Sequence, residues 1–326
     1  MSLSILKNKS VLVTGSAGFI GFHLCTRLLT LGVRVIGIDN LNNYYSPSLK
    51  KNRLRLLSKQ SGFSFYKVNI ADYASLKNII KRNRVVQICH LAAQAGVRYS
   101  LTHPFVYQNS NLLGFLNILE LVRHLQIPKL VYASSSSVYG NNRKIPFSAK
   151  DNVDHPISLY AATKKANELM AYTYHHLYGI EMVGLRFFTV YGPWGRPDMA
   201  LFIFSKAISA GQPIHVYNYG KMKRDFTYID DIIDGIIASM EKKFSYEIFN
   251  LGNSRAVDLL DFIRCIEKEL GKKAIFRMLP LQPGDVPKTN ADIKYSKLKL
   301  GFKPRIPIEE GIHRFMDWYK SYFNLN

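Results

Sequence analysis

Tyr160 and Lys164 are the two residues of this sequence whose types and spacing best suit acid–base chemistry. Residues four positions apart on a helix lie on one face, one turn from each other. A tyrosine hydroxyl has a pKa of about 10 in water, so it acts as a base near neutral pH only if its ionised form is favoured. We expect the Lys164 ammonium to lower the pKa of Tyr160 in this way. Ser135, which lies in a run of serines, could hydrogen-bond the oxygen that Tyr160 deprotonates.

A glycine-rich turn near the start of the chain predicts a dinucleotide site. Residues 10–14 form a short apolar run typical of a buried parallel strand, and the helical pattern of residues 22–31 follows soon after. Gly15, Gly18 and Gly21 lie between them, at a G-x-x-G-x-x-G spacing that does not suit the P-loop of nucleotide hydrolases. Glycines allow close backbone approach, and a helix N-terminus favours the negative charge of a pyrophosphate.

An acidic residue at the end of the second predicted strand indicates which dinucleotide binds. The strand-like run 33–38 ends at Asp39. A carboxylate at this point accepts hydrogen bonds from the adenosine ribose and repels a 2′-phosphate. The sequence therefore predicts NAD rather than NADP as the cofactor.

The composition narrows the class of protein. With 326 residues and 47% apolar composition, the chain can bury a large core. It has no run of about 20 apolar residues that could cross a membrane. Residues 1–10 are too short and too polar for a secretory signal, and the three cysteines lack the spacing of a metal site. We therefore expect a cytoplasmic protein with reduced thiols, no metal and no membrane insertion.

The formal charge of +21 raises the possibility of a nucleic-acid partner. The lysines are spread along the chain, however, and no nucleic-acid-binding motif accompanies them. We therefore expect no nucleic-acid partner. A basic surface also attracts an anionic small molecule such as a nucleotide sugar.

The order of apolar patterns predicts an α/β protein built on a Rossmann-like doubly wound parallel sheet. Strand-like runs and helical patterns alternate through residues 1–188, which we interpret as the NAD-binding domain. Residues 189–326 are turn-rich and mainly form a smaller C-terminal cap for the substrate, apart from a helix near 230–241 that returns to the first layer. The predicted strands are 11–14, 33–38, 63–68, 87–90, 129–133 and 181–187, and the main predicted helices are 109–125, 160–178, 230–241, 258–270 and 308–322.

Four longer segments resemble one enzyme family over essentially the whole chain. They are HLAAQAGVRYS at 90–100, RFFTVYGPWGRPD at 186–198, RDFTYIDD at 224–231 and QPGDVP at 282–287. With the glycine turn and the tyrosine–lysine pair, they identify a sequence similar to the extended short-chain dehydrogenase/reductases that act on nucleotide sugars. Within these, the chain looks most like the UDP-glucuronate 4-epimerases.

The resemblance implies a mechanism in which the redox change is reversed within one turnover. Tyr160 takes the proton of the C4 hydroxyl while C4 hydride passes to NAD⁺, and the 4-keto sugar then turns over and receives the hydride on its other face. Lys164 holds the nicotinamide ribose, and Ser135 hydrogen-bonds the reacting oxygen. The cofactor-binding residues implied are Gly15, Gly18, Gly21, Asp39, Asn40, Asn69, Ile70, Leu91, Ala92, Ala93, Asn109, Tyr160 and Lys164.

The same resemblance assigns the two anionic ends of the substrate. Arg98, Arg224, Gln282 and Asp285 are implied around the UDP ribose and phosphates. For the sugar carboxylate, we expect Ser136, Ser137, Thr189 and Arg196. Related UDP-glucuronate decarboxylases carry a glutamate at the position of Ser137, and UDP-galactose 4-epimerases carry an asparagine at the position of Thr189.

Two alternatives stay open at this stage. The chain could be a UDP-glucuronate decarboxylase or a 4-epimerase of another UDP-hexose, or, more remotely, a non-catalytic NAD-binding sensor.

The family commonly forms a homodimer through the helices predicted at 109–125 and 160–178. Both carry more apolar residues than one sheet face requires, and we expect a homodimer here as well.

Overall fold

The computed structural model describes residues 6–325, and its centre is a sheet of seven parallel strands in the order β3-β2-β1-β4-β5-β6-β10. These strands are β1 (Ser10–Thr14), β2 (Arg34–Asp39), β3 (Phe63–Lys67), β4 (Val85–His90), β5 (Lys129–Ser135), β6 (Glu181–Phe187) and β10 (Tyr246–Leu251). After β1 the chain continues to β2 and β3 at one edge of the sheet. It then crosses back to β4, on the other side of β1. This change of direction is where doubly wound sheets bind ligands, and the predicted fold class is confirmed.

Helices cover both faces of the sheet because alternate strand residues point to opposite sides. Val11 and Val13 pack on the side of α1 and α9, whereas Leu12 packs on the side of α3, α6 and α7. The helices are α1 (Phe19–Thr30), α2 (Pro47–Leu57), α3 (Tyr73–Arg82), α4 (Tyr99–Thr102), α5 (Pro104–Tyr107), α6 (Gly114–His124), α7 (Leu159–Tyr178), α8 (Ala200–Ser209), α9 (Ile229–Glu241), α10 (Leu259–Leu270), α11 (Lys294–Leu300) and α12 (Ile308–Phe323). None of the helices in this part of the chain is long and apolar enough to span a bilayer.

The second part of the chain adds two small sheets above the carboxyl ends of the main strands. One has the order β11-β9-β7 and the other pairs β8 with β12. Their strands are β7 (Thr189–Tyr191), β8 (Ile214–Tyr217), β9 (Lys223–Tyr228), β11 (Ala256–Asp258) and β12 (Phe276–Leu279). Sequence reasoning did not identify any of these five strands, because each is short and depends on its neighbours for pairing.

The boundary after residue 188 stays a prediction, but the chain returns from the second part to the first layer over a longer segment than the sequence indicated. The predicted return helix corresponds to α9, which packs on α1 and on strands β5 and β6. The chain then adds β10 to the edge of the main sheet beside β6. This seventh strand was missed, and it means that residues 229–251 extend the first layer.

A buried ion pair joins the helix that carries Tyr160 to the central sheet. Glu168 on α7 accepts two hydrogen bonds from the Arg186 guanidinium of β6, both at 2.8 Å, and each side chain is only 4% exposed. The Ser134 hydroxyl at the end of β5 also donates to Glu168, at 2.6 Å. Arg186 reaches further to the Tyr139 hydroxyl at 3.0 Å. One carboxylate therefore connects a helix and two strands directly beneath the serine run.

We predict that Glu168→Gln destabilises the fold by about 3–5 kcal/mol, because it leaves a buried guanidinium without its counter-charge. The measurement is the urea midpoint of unfolding. The matched control is Asp234→Asn, which breaks the half-exposed Arg27–Asp234 pair at 3.4 Å and should cost less than about 1 kcal/mol. Equal shifts of the urea midpoint for the two variants would show that burial does not determine how much the Glu168–Arg186 pair stabilises the fold.

Candidate active site

One large cavity lies between the carboxyl ends of the main strands and the small sheets, with a volume of about 920 Å³. Its size is at the upper end of the range typical of small-molecule sites. It brings together most of the residues that the sequence nominated. Those lining it are Gly15, Gly18, Gly21, Asp39, Asn40, Ile70, Leu91, Ala92, Ala93, Arg98, Ser135, Ser136, Ser137, Tyr160, Lys164, Thr189, Arg196, Arg224 and Asp285.

The glycine turn is built so tightly that side chains do not fit there. A Cβ on Gly21 would lie 2.0 Å from the Gly15 carbonyl oxygen. Gly15 has a φ of +72°, and a Cβ there would lie 2.9 Å from the Ala92 nitrogen. Helix α1 begins at Phe19, so its N-terminus faces the cavity beside this turn. This open, amide-rich cradle fits a dinucleotide pyrophosphate.

The loop that follows β4 is held against the cradle by Thr14. The Thr14 Oγ1 accepts hydrogen bonds from the Leu91 and Ala92 amides, both at 3.1 Å, and lies 2.9 Å from the His90 Nδ1. Burial, aided by the charge of Lys164, lowers the pKa of His90 to about 3, so the ring is neutral. A neutral Nδ1 can accept the Thr14 proton while the two amides bind the same oxygen.

Asp39 lies at the end of β2, as predicted, and its carboxylate is buried in the cavity wall. Its Oδ1 accepts the Leu41 amide at 2.8 Å. Burial raises the pKa of Asp39, and the nearby Lys50 ammonium partly opposes that shift. Arg53 is not free to hold a 2′-phosphate, since its guanidinium donates to the carbonyl oxygens of Ala17, Trp194 and Gly195. Asp39 is therefore suited to accept hydrogen bonds from ribose hydroxyls.

The helix that carries the tyrosine and the lysine starts at a defined cap. The Ser158 hydroxyl accepts the Ala161 amide at 3.1 Å, which places Tyr160 in the first turn of α7, facing the cavity. Lys164 lies one turn further on, and its Nζ donates to the Ala133 carbonyl oxygen of β5 at 2.9 Å. Burial lowers the pKa of Lys164 to about 8. The ammonium is thus fixed at the end of β5, below the serine run.

The expected lowering of the Tyr160 pKa was wrong for the protein's own groups. Burial raises the pKa of Tyr160, and the opposing effects of the facing Ser135 hydroxyl and of the Arg196 charge are smaller. The Lys164 ammonium donates a hydrogen bond to the Ala133 backbone carbonyl oxygen. Desolvation therefore outweighs the attraction that helix spacing alone suggested.

The hydroxyls nominated for a carboxylate and Arg196 all line the cavity. The Ser135 hydroxyl donates to the Ser137 Oγ at 3.0 Å and accepts the Ser137 amide at 3.2 Å. Thr189 begins strand β7. Arg196 lies in the loop after β7 and forms an ion pair with Asp198, which the sequence did not indicate.

A second cationic group lines the cavity near the loop of residues 282–287. The Arg98 Nη2 donates to the Asp285 Oδ2 at 2.8 Å, and its guanidinium lies 4.4 Å from the centroid of the Tyr217 ring. Burial lowers the pKa of Arg224, Asp285 raises it and Arg98 lowers it further. Two guanidinium groups against one carboxylate leave a net positive charge, which is suited to a diphosphate.

Three nominated residues do not face the cavity. Asn69 is exposed, and its Oδ1 accepts the Ala71 amide at 3.0 Å. Asn109 is also exposed, because residues Gln108–Leu113 form a π-helical segment that changes the face each residue presents. Gln282 begins a turn closed by the Asp285 amide, and only residues 284–286 of that turn reach the cavity wall. The predicted contacts of these three side chains stay predictions.

The π-helical segment contains a buried asparagine that is hydrogen-bonded to Gln94, a residue of the cavity wall. Asn111 is buried; its Oδ1 accepts the Gln94 amide at 2.8 Å, and its Nδ2 donates to the Thr163 hydroxyl at 3.0 Å. It therefore ties the loop after β4 to helix α7. The sequence analysis did not name this residue, because the resemblance implied Asn109 in the same segment. Asp198 ends the quoted segment 186–198 but was given no role, and Tyr44 was missed because it lies in an irregular loop without a motif of its own.

Comparison with known proteins places the chain among sugar-nucleotide enzymes. A model of the NAD dependent epimerase/dehydratase family matches residues 11–252. The UDP-glucuronate 4-epimerase 4 of Arabidopsis thaliana is 46% identical over 333 aligned residues, covering 97% of this chain and 76% of the plant protein.

Solved structures agree with the sequence comparison. The UDP-glucuronic acid 4-epimerase of Bacillus cereus, in complex with UDP-glucuronic acid and NAD, has a TM-score of 0.91 at 35% identity and covers 96% of this chain and 99% of its own. A UDP-glucose 4-epimerase of Thermotoga maritima with UDP-glucose has a TM-score of 0.88 at 30% identity, again covering 96% and 99%. The chain is thus similar over nearly its whole length to proteins named as 4-epimerases.

Proposed function

Because the chain belongs to the NAD dependent epimerase/dehydratase family, we propose that it interconverts UDP-glucuronate and UDP-galacturonate by inverting C4. One observation carries this proposal beyond the family. The cavity that presents Tyr160 and Lys164 is also lined by Ser136, Ser137 and Arg196, whose hydroxyl groups and guanidinium are suited to a sugar carboxylate. NAD, bound at the glycine cradle, supplies the chemistry of removing a hydride from C4 and returning it.

The chain's own residues handle the proton and the position of the sugar. Tyr160, as the general base and then the general acid, exchanges a proton with the C4 oxygen. Ser135 faces the Tyr160 hydroxyl and lines the same part of the cavity, so it can hydrogen-bond this oxygen. Lys164 is held by the Ala133 carbonyl at 2.9 Å and contributes a fixed positive charge beneath the reacting groups. Removing a proton from the C4 hydroxyl and a hydride from C4 leaves a ketone. When both return, C4 is an alcohol again and its oxidation state is restored.

We assign the two charged parts of the substrate to two groups of lining residues. Arg98 and Arg224, which line the cavity with Asp285, bind the diphosphate. Ser136, Ser137, Thr189 and Arg196, which line the same cavity, bind the carboxylate at C6. A sugar held mainly by its diphosphate can turn and present either face to Tyr160.

The three free thiols are consistent with the reducing cytoplasm predicted from the sequence.

The test is to incubate the purified protein with UDP-glucuronate and identify the product by proton NMR. We predict a galacturonate product from the wild type and at least a thousandfold loss of turnover in Tyr160→Phe, with bound NAD retained, because the ring stays but its proton does not. A pentose product would instead identify a decarboxylase. No product from any UDP-sugar would favour the sensor, and full activity of Tyr160→Phe would assign the base elsewhere.

Arg196→Ala tests the assignment of the carboxylate. We predict that it weakens binding of UDP-glucuronate by about tenfold or more, because a charge-assisted hydrogen bond to the sugar is lost. Binding of UDP-glucose, which has no carboxylate, should change little. Dissociation constants for the two nucleotides are compared by titration calorimetry. Equal losses for both sugars would remove the carboxylate argument and favour epimerisation of a neutral UDP-hexose.

We also propose that two copies of the chain pair through α6 and α7, which pack against each other. Leu116 on α6 and Leu169 on α7 are exposed although both are large and apolar. Nearby Phe105 on α5 is the most exposed of this set at 79%. Such a surface is typical of an interface between subunits.

The oligomeric state tests this surface directly. We predict a dimer for the wild type and a monomer for the double variant Leu116→Arg and Leu169→Arg, since two buried charges oppose association. Light scattering after size-exclusion chromatography gives the mass. Leu298→Arg is the matched control, because Leu298 is 78% exposed on α11, outside both helices. A dimeric double variant would place the interface on another face.

A further inference from the structure

Asp198 forms an ion pair with Arg196, the residue that the proposed function assigns to the substrate carboxylate. The Arg196 Nε donates to the Asp198 Oδ1 at 3.0 Å, and the Nη2 donates to the Oδ2 at 2.5 Å. Both side chains line the cavity and are about one quarter exposed, at 24% and 28%. A carboxylate on the sugar would therefore approach an arginine that already has a bidentate anionic partner.

A tyrosine from the cofactor side of the cavity holds the same aspartate. The Tyr44 hydroxyl donates to the Asp198 Oδ2 at 2.9 Å. Tyr44 lies in the loop after β2, and its ring packs edge-on against Tyr99 with centroids 4.8 Å apart. A Cβ on Gly96 would lie 2.5 Å from the Tyr44 hydroxyl oxygen, so the absence of a side chain there makes room for the phenol. The Arg196 guanidinium also lies over the Tyr44 ring, 6.0 Å from its centroid, so Tyr44 contacts both members of the ion pair.

Asp198 is thus an anion with two separate donors, one of which can be given up. Burial would raise the pKa of Asp198, but Arg196 and the Tyr44 hydroxyl hold it below the usual value, so the carboxylate is ionised. If Arg196 turns to another anion, the Tyr44 hydrogen bond remains. If no other anion is present, Asp198 neutralises a guanidinium that is costly to leave unpaired in a largely buried site.

Epimerisation makes this exchange useful, and here the inference rests on the proposed function. The sugar must turn between loss and return of the C4 hydrogen, so its carboxylate must leave whatever binds it and find partners again. A bidentate arginine–carboxylate pair in a low-dielectric site is strong and specific. An unopposed Arg196 would hold one orientation of the sugar and slow the turn.

We propose that Asp198, anchored by Tyr44, is an exchangeable counter-ion of Arg196 that competes with the C6 carboxylate of the substrate and thereby permits the sugar to turn. Asp198 is a positioning residue in this scheme and takes no part in proton transfer. Its carboxylate moves between two states, one bound by Arg196 and Tyr44 and one bound by Tyr44 alone. No bond is made or broken in the exchange.

The two substitutions that test this scheme have effects of opposite sign on binding. Asp198→Asn removes the competitor, so UDP-glucuronate should bind about fivefold more tightly while kcat falls, because the sugar turns less easily. Tyr44→Phe removes the anchor, so displacing Asp198 from Arg196 becomes harder and UDP-glucuronate should bind about threefold more weakly. UDP-glucose should bind both variants as it binds the wild type.

Titration calorimetry with UDP-glucuronate and UDP-glucose measures the affinities, and steady-state kinetics separate kcat from KM. Asp234→Asn, in the surface pair with Arg27, controls for the loss of one negative charge and should leave both affinities unchanged. A purely structural or orienting role would weaken binding of UDP-glucuronate in both Asp198→Asn and Tyr44→Phe, and that result would overturn the proposal.

The binding measurements do not need turnover, so they distinguish this inference from the proposed function. A wild type that binds UDP-glucuronate but does not convert it would contradict the proposed function, and the sign of the Asp198→Asn effect would still decide whether Asp198 competes. If Asp198→Asn does not fold, Tyr44→Phe can still contradict the scheme, although weaker binding alone would not separate it from a structural role. Unchanged affinity of Tyr44→Phe for UDP-glucuronate would then overturn the counter-ion scheme.

Discussion

The hydrogen-bonded ion pair between Glu168 and Arg186 is the interaction on which the rest of the site depends. It fixes α7 to strand β6, and the Ser134 hydroxyl adds the end of β5 to the same carboxylate. Tyr160 and Lys164 lie two turns and one turn earlier on that helix. Their positions relative to the serine run are therefore set by a contact that itself takes no part in the chemistry.

Burial has opposite consequences for the two groups that this contact positions. It lowers the pKa of Lys164 to about 8 and raises the pKa of Tyr160. Both shifts follow from one cause, since a low-dielectric site disfavours the charged form of either side chain. The protein alone thus supplies a preorganised but largely uncharged tyrosine. A further positive charge next to Tyr160 would favour its ionised form, and the cation of bound NAD⁺ is the chemical group suited to that role.

Elsewhere in the cavity, charges occur in combinations that leave part of the positive charge available. Arg98 pairs with Asp285 while Arg224 shares the same region, so one guanidinium remains for a diphosphate. Arg196 pairs with Asp198. Under the proposed function, the first arrangement attracts the part of the substrate that stays in place. The second gives Arg196 a partner that can be exchanged at the end of the sugar that moves.

The sequence by itself determined the class of fold and the centre of the chemistry. The strand and helix patterns of residues 10–187 depend on local periodicity, and the glycine turn, Asp39, Ser135 and the tyrosine–lysine pair lie next to regular elements that periodicity locates. Their positions in one cavity follow from the rule that parallel strands end at the same edge of a sheet.

Tertiary structure decided the features that depend on contacts between distant parts of the chain, which a local sequence pattern does not specify. In the π-helical segment, the side chain of Asn111 ties the loop after β4 to helix α7. Strand β10 joins the sheet only because β6 offers an unpaired edge. The raised pKa of Tyr160 results from the depth at which the folded chain buries it. The contact between Tyr44 and Asp198 joins loops 154 positions apart, and such a pairing exists only once both layers have packed.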